Sequence, residues 1–175
     1  MGWTSAAAAA DGDIASVDAP ALPCSIARSL EIIGDRWTIL ILRDAFRGIR
    51  RFDDFRRDLE IARPVLSDRL RKLVEAGVLT KVPYQEHPVR HEYRLTRMGI
   101  ELSPALVALM RWGDDWLSGG QPPTVLVHDE CGSPLEQGFW CNTCRQTFTP
   151  TDIASRPGPG RADHQHEHQH DEEHP

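Results

Sequence analysis

No stretch of this 175-residue chain approaches the roughly 18–20 consecutive apolar residues that a membrane span requires. The densest apolar patch, residues 39–42, is bracketed by charges. A basic region ahead of the N-terminal alanines is missing too. Residues 1–10 carry no Lys or Arg, so they make a poor secretory signal, and a cytoplasmic location is the expectation. Bases are in fact absent from both ends. Residues 1–20 hold three acids and no Lys or Arg, and residues 162–175 hold five acids, five histidines and again no Lys or Arg. No internal repeat is visible, which sets aside solenoid and array architectures.

What is present is a compact basic region inside an acidic chain. The formal net charge is −6, yet residues 21–100 carry 16 Lys/Arg against 11 Asp/Glu, a surplus of five. Local charge rather than the total sets attraction to phosphate, so overall acidity does not exclude a nucleic-acid partner. A hydrophobic content of 40% supports one packed domain with appendages. Composition divides the chain into a disordered extension over residues 1–22, a helical core over 23–117, a linker over 118–123 (Ser118-Gly119-Gly120-Gln121-Pro122-Pro123), a small Cys-containing module over 124–153 and a disordered His- and acid-rich tail over 154–175.

Inside the core the helical period is clear. Ile26, Leu30 and Ile33 space one apolar face that Gly34 ends, and Trp37, Leu40, Ile41, Ala45 and Phe46 make a second face that stops at Gly48. Phe52, Phe55 and Leu59 mark a short third helix. Pro64 suits the first turn of a fourth, where Leu66, Leu70 and Leu73 lie on one stripe and Gly77 is the stop. Residues 78–84 and 92–95 alternate around a proline-centred turn over residues 85–91, which predicts a β-hairpin. Thr96 then caps a long helix running to Leu117, with Ile100, Leu102, Leu106, Leu109, Met110, Trp112 and Trp116 along it. This order predicts a mainly α (α+β) fold: a winged helix-turn-helix with a two-stranded wing and a long dimerisation helix, followed by the small module.

At these residues the chain resembles the HxlR-type family of bacterial winged helix-turn-helix regulators. The matching stretches are Pro23-Cys24-Ser25-Ile26, Gly34-Asp35-Arg36-Trp37-Thr38-Ile39-Leu40-Ile41-Leu42-Arg43 and Arg50-Arg51-Phe52. They continue through Leu66-Ser67-Asp68-Arg69-Leu70-Arg71-Lys72-Leu73 with Gly77, then Val89-Arg90-His91-Glu92-Tyr93-Arg94-Leu95-Thr96 and Gly99, and together reach from Pro23 to about Trp116. The resemblance implies a homodimeric repressor or activator that answers to small reactive or aromatic compounds. One departure concerns the residue before the proline of the fourth helix, usually Ser in the family. Here it is Arg63, which cannot cap as Ser does and is instead expected to reach phosphate. The acidic extensions at both ends are additions to the family pattern.

A recognition helix fits the major groove, where its outward side chains meet base edges. With Leu66, Leu70 and Leu73 inward, the outward set is Pro64, Ser67, Asp68, Arg71 and Lys72. Arg71 is the expected base reader because its fork suits guanine. Ser67 can bond base or phosphate, and Asp68 either orients an arginine or reads a cytosine amine. Arg50 and Arg51, just before the third helix, are expected at phosphate, and Arg90 at the wing tip is expected at backbone or minor groove. The bland alternative for any one of these arginines is a solvated surface charge.

Three of the four cysteines fall in the second module. His128 and Cys131, then after nine residues Cys141 and Cys144, form two paired knuckles that can complete a tetrahedral, structural Zn2+ site, so the module reads as zinc-ribbon-like. The alternatives are metal-free thiols or a Cys141–Cys144 disulfide, and cytosolic redox conditions disfavour the latter. Cys24 stands apart at the start of the first helix with Arg28 one turn on. In related regulators a cysteine so placed acts as a redox or electrophile sensor. The other reading is a small buried residue at the dimer interface.

An enzyme needs a nucleophile, a base and a pocket in mutual reach, and the Cys-x-x-Cys here lacks the βαβ context of a dithiol redox site. A winged helix that binds only protein is the remaining competitor, and the basic recognition helix and Arg90 argue for DNA instead. The reading is therefore a non-enzymatic, nucleoid-associated, sequence-specific regulator that binds duplex DNA as a homodimer. Leu106, Leu109, Met110 and Trp116 are the interface candidates, and a small molecule or electrophile is the expected effector.

Overall fold

The computed structural model describes residues 24–156; the expectations for residues 1–22 and for the tail beyond Arg156 lie outside them. Four helices come first: α1 (Ser25–Ile33), α2 (Arg36–Phe46), α3 (Phe52–Leu59) and α4 (Arg63–Glu75). A hairpin of β1 (Leu79–Glu86) and β2 (Val89–Leu95) follows, then α5 (Arg97–Ile100) and α6 (Ser103–Leu117). The C-terminal module contributes a second, short hairpin of β3 (Phe139–Cys141) and β4 (Gln146–Phe148).

The core is the set of positions that the helical period picks out. Ile41 and Leu42 of α2, Phe55 of α3, Leu66, Leu70 and Leu73 of α4, and Val78 and Leu79 at the start of the wing are all buried together with Ile61. Removing a leucine from water contributes about 1.5–3 kcal/mol, so the three leucines of α4 fix which side of that helix faces out. Asp35 caps α2: its carboxylate accepts from the backbone N–H of Trp37 at 3.0 Å and of Thr38 at 3.3 Å. Gly77 leaves α4 at a φ of 72°, in the left-handed region where a Cβ is disfavoured, and turns the chain into β1.

The wing is longer than the alternation of apolar residues foretold. β1 and β2 pair antiparallel from Leu79↔Leu95 to Glu86↔Val89, leaving only His87-Pro88, joined by a cis peptide bond, at the tip. A register shift between Pro83 and Gln85 lets pairing continue through a segment expected to be loop, with Pro83 at an edge where its missing N–H costs no ladder bond. The segment before α3 adds to the sheet. The backbone N–H of Tyr93 donates to the Arg50 carbonyl at 2.7 Å, and Arg51 bridges to Glu92. This contact ties the wing to the start of α3.

The expected single helix from Thr96 to Leu117 is two helices. Thr96 does cap, accepting from the Gly99 N–H at 3.2 Å, but α5 ends at Ile100 and α6 restarts at Ser103. Pro104 lies in the first turn of α6, and its ring and missing N–H are incompatible with an uninterrupted helix through that point. Of the residues expected at an interface, Leu106 is partly buried against the core and Met110 is half-buried. Leu109 and Trp116 remain exposed.

Candidate nucleic-acid interface

Burial of Leu66, Leu70 and Leu73 leaves Arg63, Pro64, Ser67, Arg71, Lys72 and Glu75 exposed on the other side of α4, with Asp68 half-buried among them. Asp68 is the hub. Its carboxylate accepts from Arg71 at 2.7 Å and Arg69 at 3.2 Å, and pairs with Lys72 at 3.1 Å. These partners, Arg71 first and then Lys72, hold its pKa below the ordinary carboxylate range. Of the two roles expected for Asp68, orienting an arginine is the one its bonds serve. Arg71 also donates to both oxygens of Glu75, at 2.8 and 2.7 Å, so its fork is held along the helix. Arg69 bridges from Asp68 to Asp35, which it approaches at 2.8 Å, joining α4 to the cap of α2.

The other expected contacts gather between α3 and the wing. Arg51, Lys81, Arg90 and His91 line one groove together with the carboxylates Asp53 and Asp54 and the rings of Phe52, Tyr84 and Tyr93, which brings the two predicted cations Arg51 and Arg90 together. The Arg51 guanidinium lies over the Tyr84 ring at 4.4 Å, an arrangement that holds the cation in place without neutralising it. Lys81 and Tyr84 had no motif to mark them; their signal was the alternation of β1 alone. Arg50 lines a neighbouring hollow with Gly48, Ile49, Asp54 and Arg57. Arg63 does not cap α4, whose N-terminus has no side-chain cap. It pairs with Asp53 at 3.2 Å and lies 5.7 Å from the centre of the Phe52 ring.

A residue that sequence reasoning missed is Asp44, wholly buried on α2. Arg43 donates to it through Nε at 2.9 Å and Nη2 at 2.7 Å, and both Arg43 and Arg47 reach Asp58 of α3, at 3.4 and 3.2 Å. Burial is the largest influence on its carboxyl and raises its pKa in spite of Arg43. The cluster clamps α2 to α3.

Fold, outward α4 and basic wing groove meet the pattern of a known family. Residues 32–121 match the HxlR-like helix-turn-helix family, just over half of the chain. The chain belongs to the HxlR-like family. An uncharacterized HTH-type transcriptional regulator of Mycobacterium tuberculosis is 48% identical over 137 residues, covering 78% of this chain and 87% of that protein. Among solved structures, PA1607, described as a candidate transcription factor, is 37% identical with a TM-score of 0.70, covering 78% of this chain and 96% of that one. The reduced form of the redox regulator HypR is 27% identical with a TM-score of 0.50, covering 56% of this chain and 100% of that one. This HxlR-like chain is thus a helix-turn-helix transcriptional regulator, mainly α with a β wing. A match of 137 residues cannot fit before residue 122, so the mycobacterial likeness runs into the C-terminal module.

The remaining predicted residues fall elsewhere. Cys24 precedes α1 and is exposed; its side chain makes no capping hydrogen bond. In the C-terminal module His128 Nδ1 lies 3.3 Å from Cys131 Sγ. Hydrogen bonds from Ser133, side chain then backbone, and from His128 bring Cys131 down to about 7. Cys141 is lowered by backbone bonds from Cys144 and Thr143. Among the described residues no three His, Cys, Asp or Glu side chains are grouped closely enough to hold a metal ion, so the two pairs stand as separate halves. No described helix is long and apolar enough to cross a membrane.

Proposed function

We propose that this HxlR-like regulator binds duplex DNA as a homodimer, placing α4 in the major groove and the wing against the backbone. The observation that carries the reading is the division of α4 into a leucine face, wholly buried, and a face of Ser67, Asp68, Arg71 and Lys72 turned outward beside the Arg51–Arg90 groove. Arg71 reads a base, in exchange for part of its bonding to Glu75. Ser67 and Lys72 flank it, and Arg50, Arg51, Arg63 and Arg90 meet phosphates. The protein acts by occupying DNA rather than by catalysis. Two-fold pairing is supported by apolar surface that one chain leaves uncovered: Ile26 and Leu30 on α1, and Leu109, Trp112 and Trp116 on α6, are all more than half exposed. Regulators of this architecture read paired half-sites.

Binding to the preferred duplex and to a scrambled one, measured across a salt series, tests the assignment. Arg71→Ala is expected to cost about 1–3 kcal/mol on the preferred duplex and to relax preference at one base pair. Arg51→Ala is expected to weaken both duplexes alike and to reduce the salt slope by about one. Uniform loss in both variants would remove Arg71 from base reading.

A further inference from the structure

We propose that the C-terminal module binds one zinc ion per chain, closing His128, Cys131, Cys141 and Cys144 around it. The proposal stands apart from DNA reading and rests on a correspondence between two turns. In the first, His128 and Cys131 are followed by Gly132, whose backbone N–H donates to the His128 carbonyl at 2.8 Å. In the second, Cys141 and Cys144 are followed by Arg145, whose N–H donates to the Cys141 carbonyl, also at 2.8 Å. Gly132 and Arg145 both take left-handed backbone, with φ of 68° and 54°. The two turns therefore share one backbone form, and each carries nitrogen or sulfur donors at its first and fourth positions. An arginine with positive φ costs free energy that a glycine would not, so the shape of the second turn is retained against local preference.

The hairpins that present these turns are consecutive. The first is closed by the bridge between Val127 and Pro134 and by the His128 N–H bonding the Ser133 carbonyl at 2.9 Å. The second is β3–β4. Within the first turn the donors already stand at a chelating distance. Tetrahedral zinc with one imidazole and one thiolate, at about 2.0 and 2.3 Å, sets the two donor atoms about 3.5 Å apart, and His128 Nδ1 and Cys131 Sγ are 3.3 Å apart.

Beyond its two short hairpins the module has no buried side chain to hold it together. None of residues 124–153 is buried, and Val125, Leu135, Phe139 and Trp140 are exposed. A side-chain tie to the winged helix runs from Gln137 to the Pro104 carbonyl at 2.8 Å. A segment this short, well below the ~40 residues at which a core begins to suffice, is usually closed by a metal or a disulfide. Zinc bringing the two turns together would supply that closure, with the three thiols giving up their protons to solvent on binding.

The test is a Co2+ titration of the reduced, metal-stripped full chain, followed by displacement with Zn2+. Thiolate-to-cobalt charge transfer and intense tetrahedral absorption, saturating at about one equivalent, are expected. Cys131→Ser and Cys141→Ser should each weaken Co2+ binding by at least about tenfold and reduce the charge-transfer band, whereas Cys24→Ser should leave both unchanged. Because any variant could disturb the module, metal protection of residues 124–153 from proteolysis is followed in wild type in parallel. A weak, octahedral spectrum without charge transfer would place the metal on the histidine-rich residues 164–170 and overturn the proposal. So would affinity and a charge-transfer band both undiminished in Cys131→Ser.

Discussion

Asp68 shows how much of the outward face of α4 is decided between neighbours. Three cations within four residues of it, Arg69, Arg71 and Lys72, converge on one carboxylate, and Arg71 is shared with Glu75 one turn on. Exposed pairs of this kind contribute little to stability, so their effect is to limit the rotamers open to Arg71, the proposed base reader. Cys24 presents a different residue-scale question. It is exposed at the start of α1, whose Ile26 and Leu30 are exposed as well. If Cys24 reports a redox signal, diamide lowers operator affinity in wild type but not in Cys24→Ser, with metal release monitored because the module's thiols also oxidise. Equal responses in the two proteins would assign Cys24 a structural role. The outward placement of Ser67, Asp68 and Arg71 was legible in sequence, because three leucines at helical spacing leave no other solution. Asp44 was not legible: an aspartate amid basic residues reads as a surface charge, and only the packing of α3 over α2 buries it.

At the level of elements, the number and order of the first four helices follow from apolar spacing and from the stops at Gly34, Gly48 and Gly77. The wing and the helices after it were read less well. Alternation lapses at Tyr84, where the strand shifts register, so the paired length of the hairpin was hidden. Pro104 was the available sign that the last helix is interrupted, and the apolar periodicity continuing across it masked the break. Thr96 joins these parts. Its hydroxyl donates to the Gly77 carbonyl at 2.6 Å and accepts from the Gly99 N–H, fastening the end of α4 to α5. Thr96→Ala should therefore lower the unfolding free energy by about 0.5–2 kcal/mol, as a lost helix cap does. Leu70→Ala, in the fully buried stripe, should cost about 2–5 kcal/mol. Urea unfolding at constant slope measures both, and a Thr96→Ala midpoint equal to wild type would show that the cap contributes nothing.

Across the whole molecule, two surface features stand out. The wing groove and outer α4 carry Arg51, Lys81, Arg90, Arg71 and Lys72, while α1 and α6 leave aromatic and aliphatic side chains in water, Trp116 at 75% and Ile26 at 70% exposed. The net acidity of the chain concealed the first feature from any reading of totals; the local surplus over residues 21–100 revealed it. The zinc pattern was visible as spacing, but the likeness of the two turns is a property of backbone form and needed coordinates. A dimer formed through α1 and α6 presents two copies of α4 related by two-fold symmetry, and duplex DNA repeats its major groove about every 34–36 Å. The most direct measurement is recovery of the genomic fragments that the full chain binds, with the mass of the complex on the recovered site. Two chains on an inverted repeat, its half-sites about one helical turn apart or a multiple of it, is the predicted result. One chain on a site without symmetry, or fragments with no common motif, would contradict it.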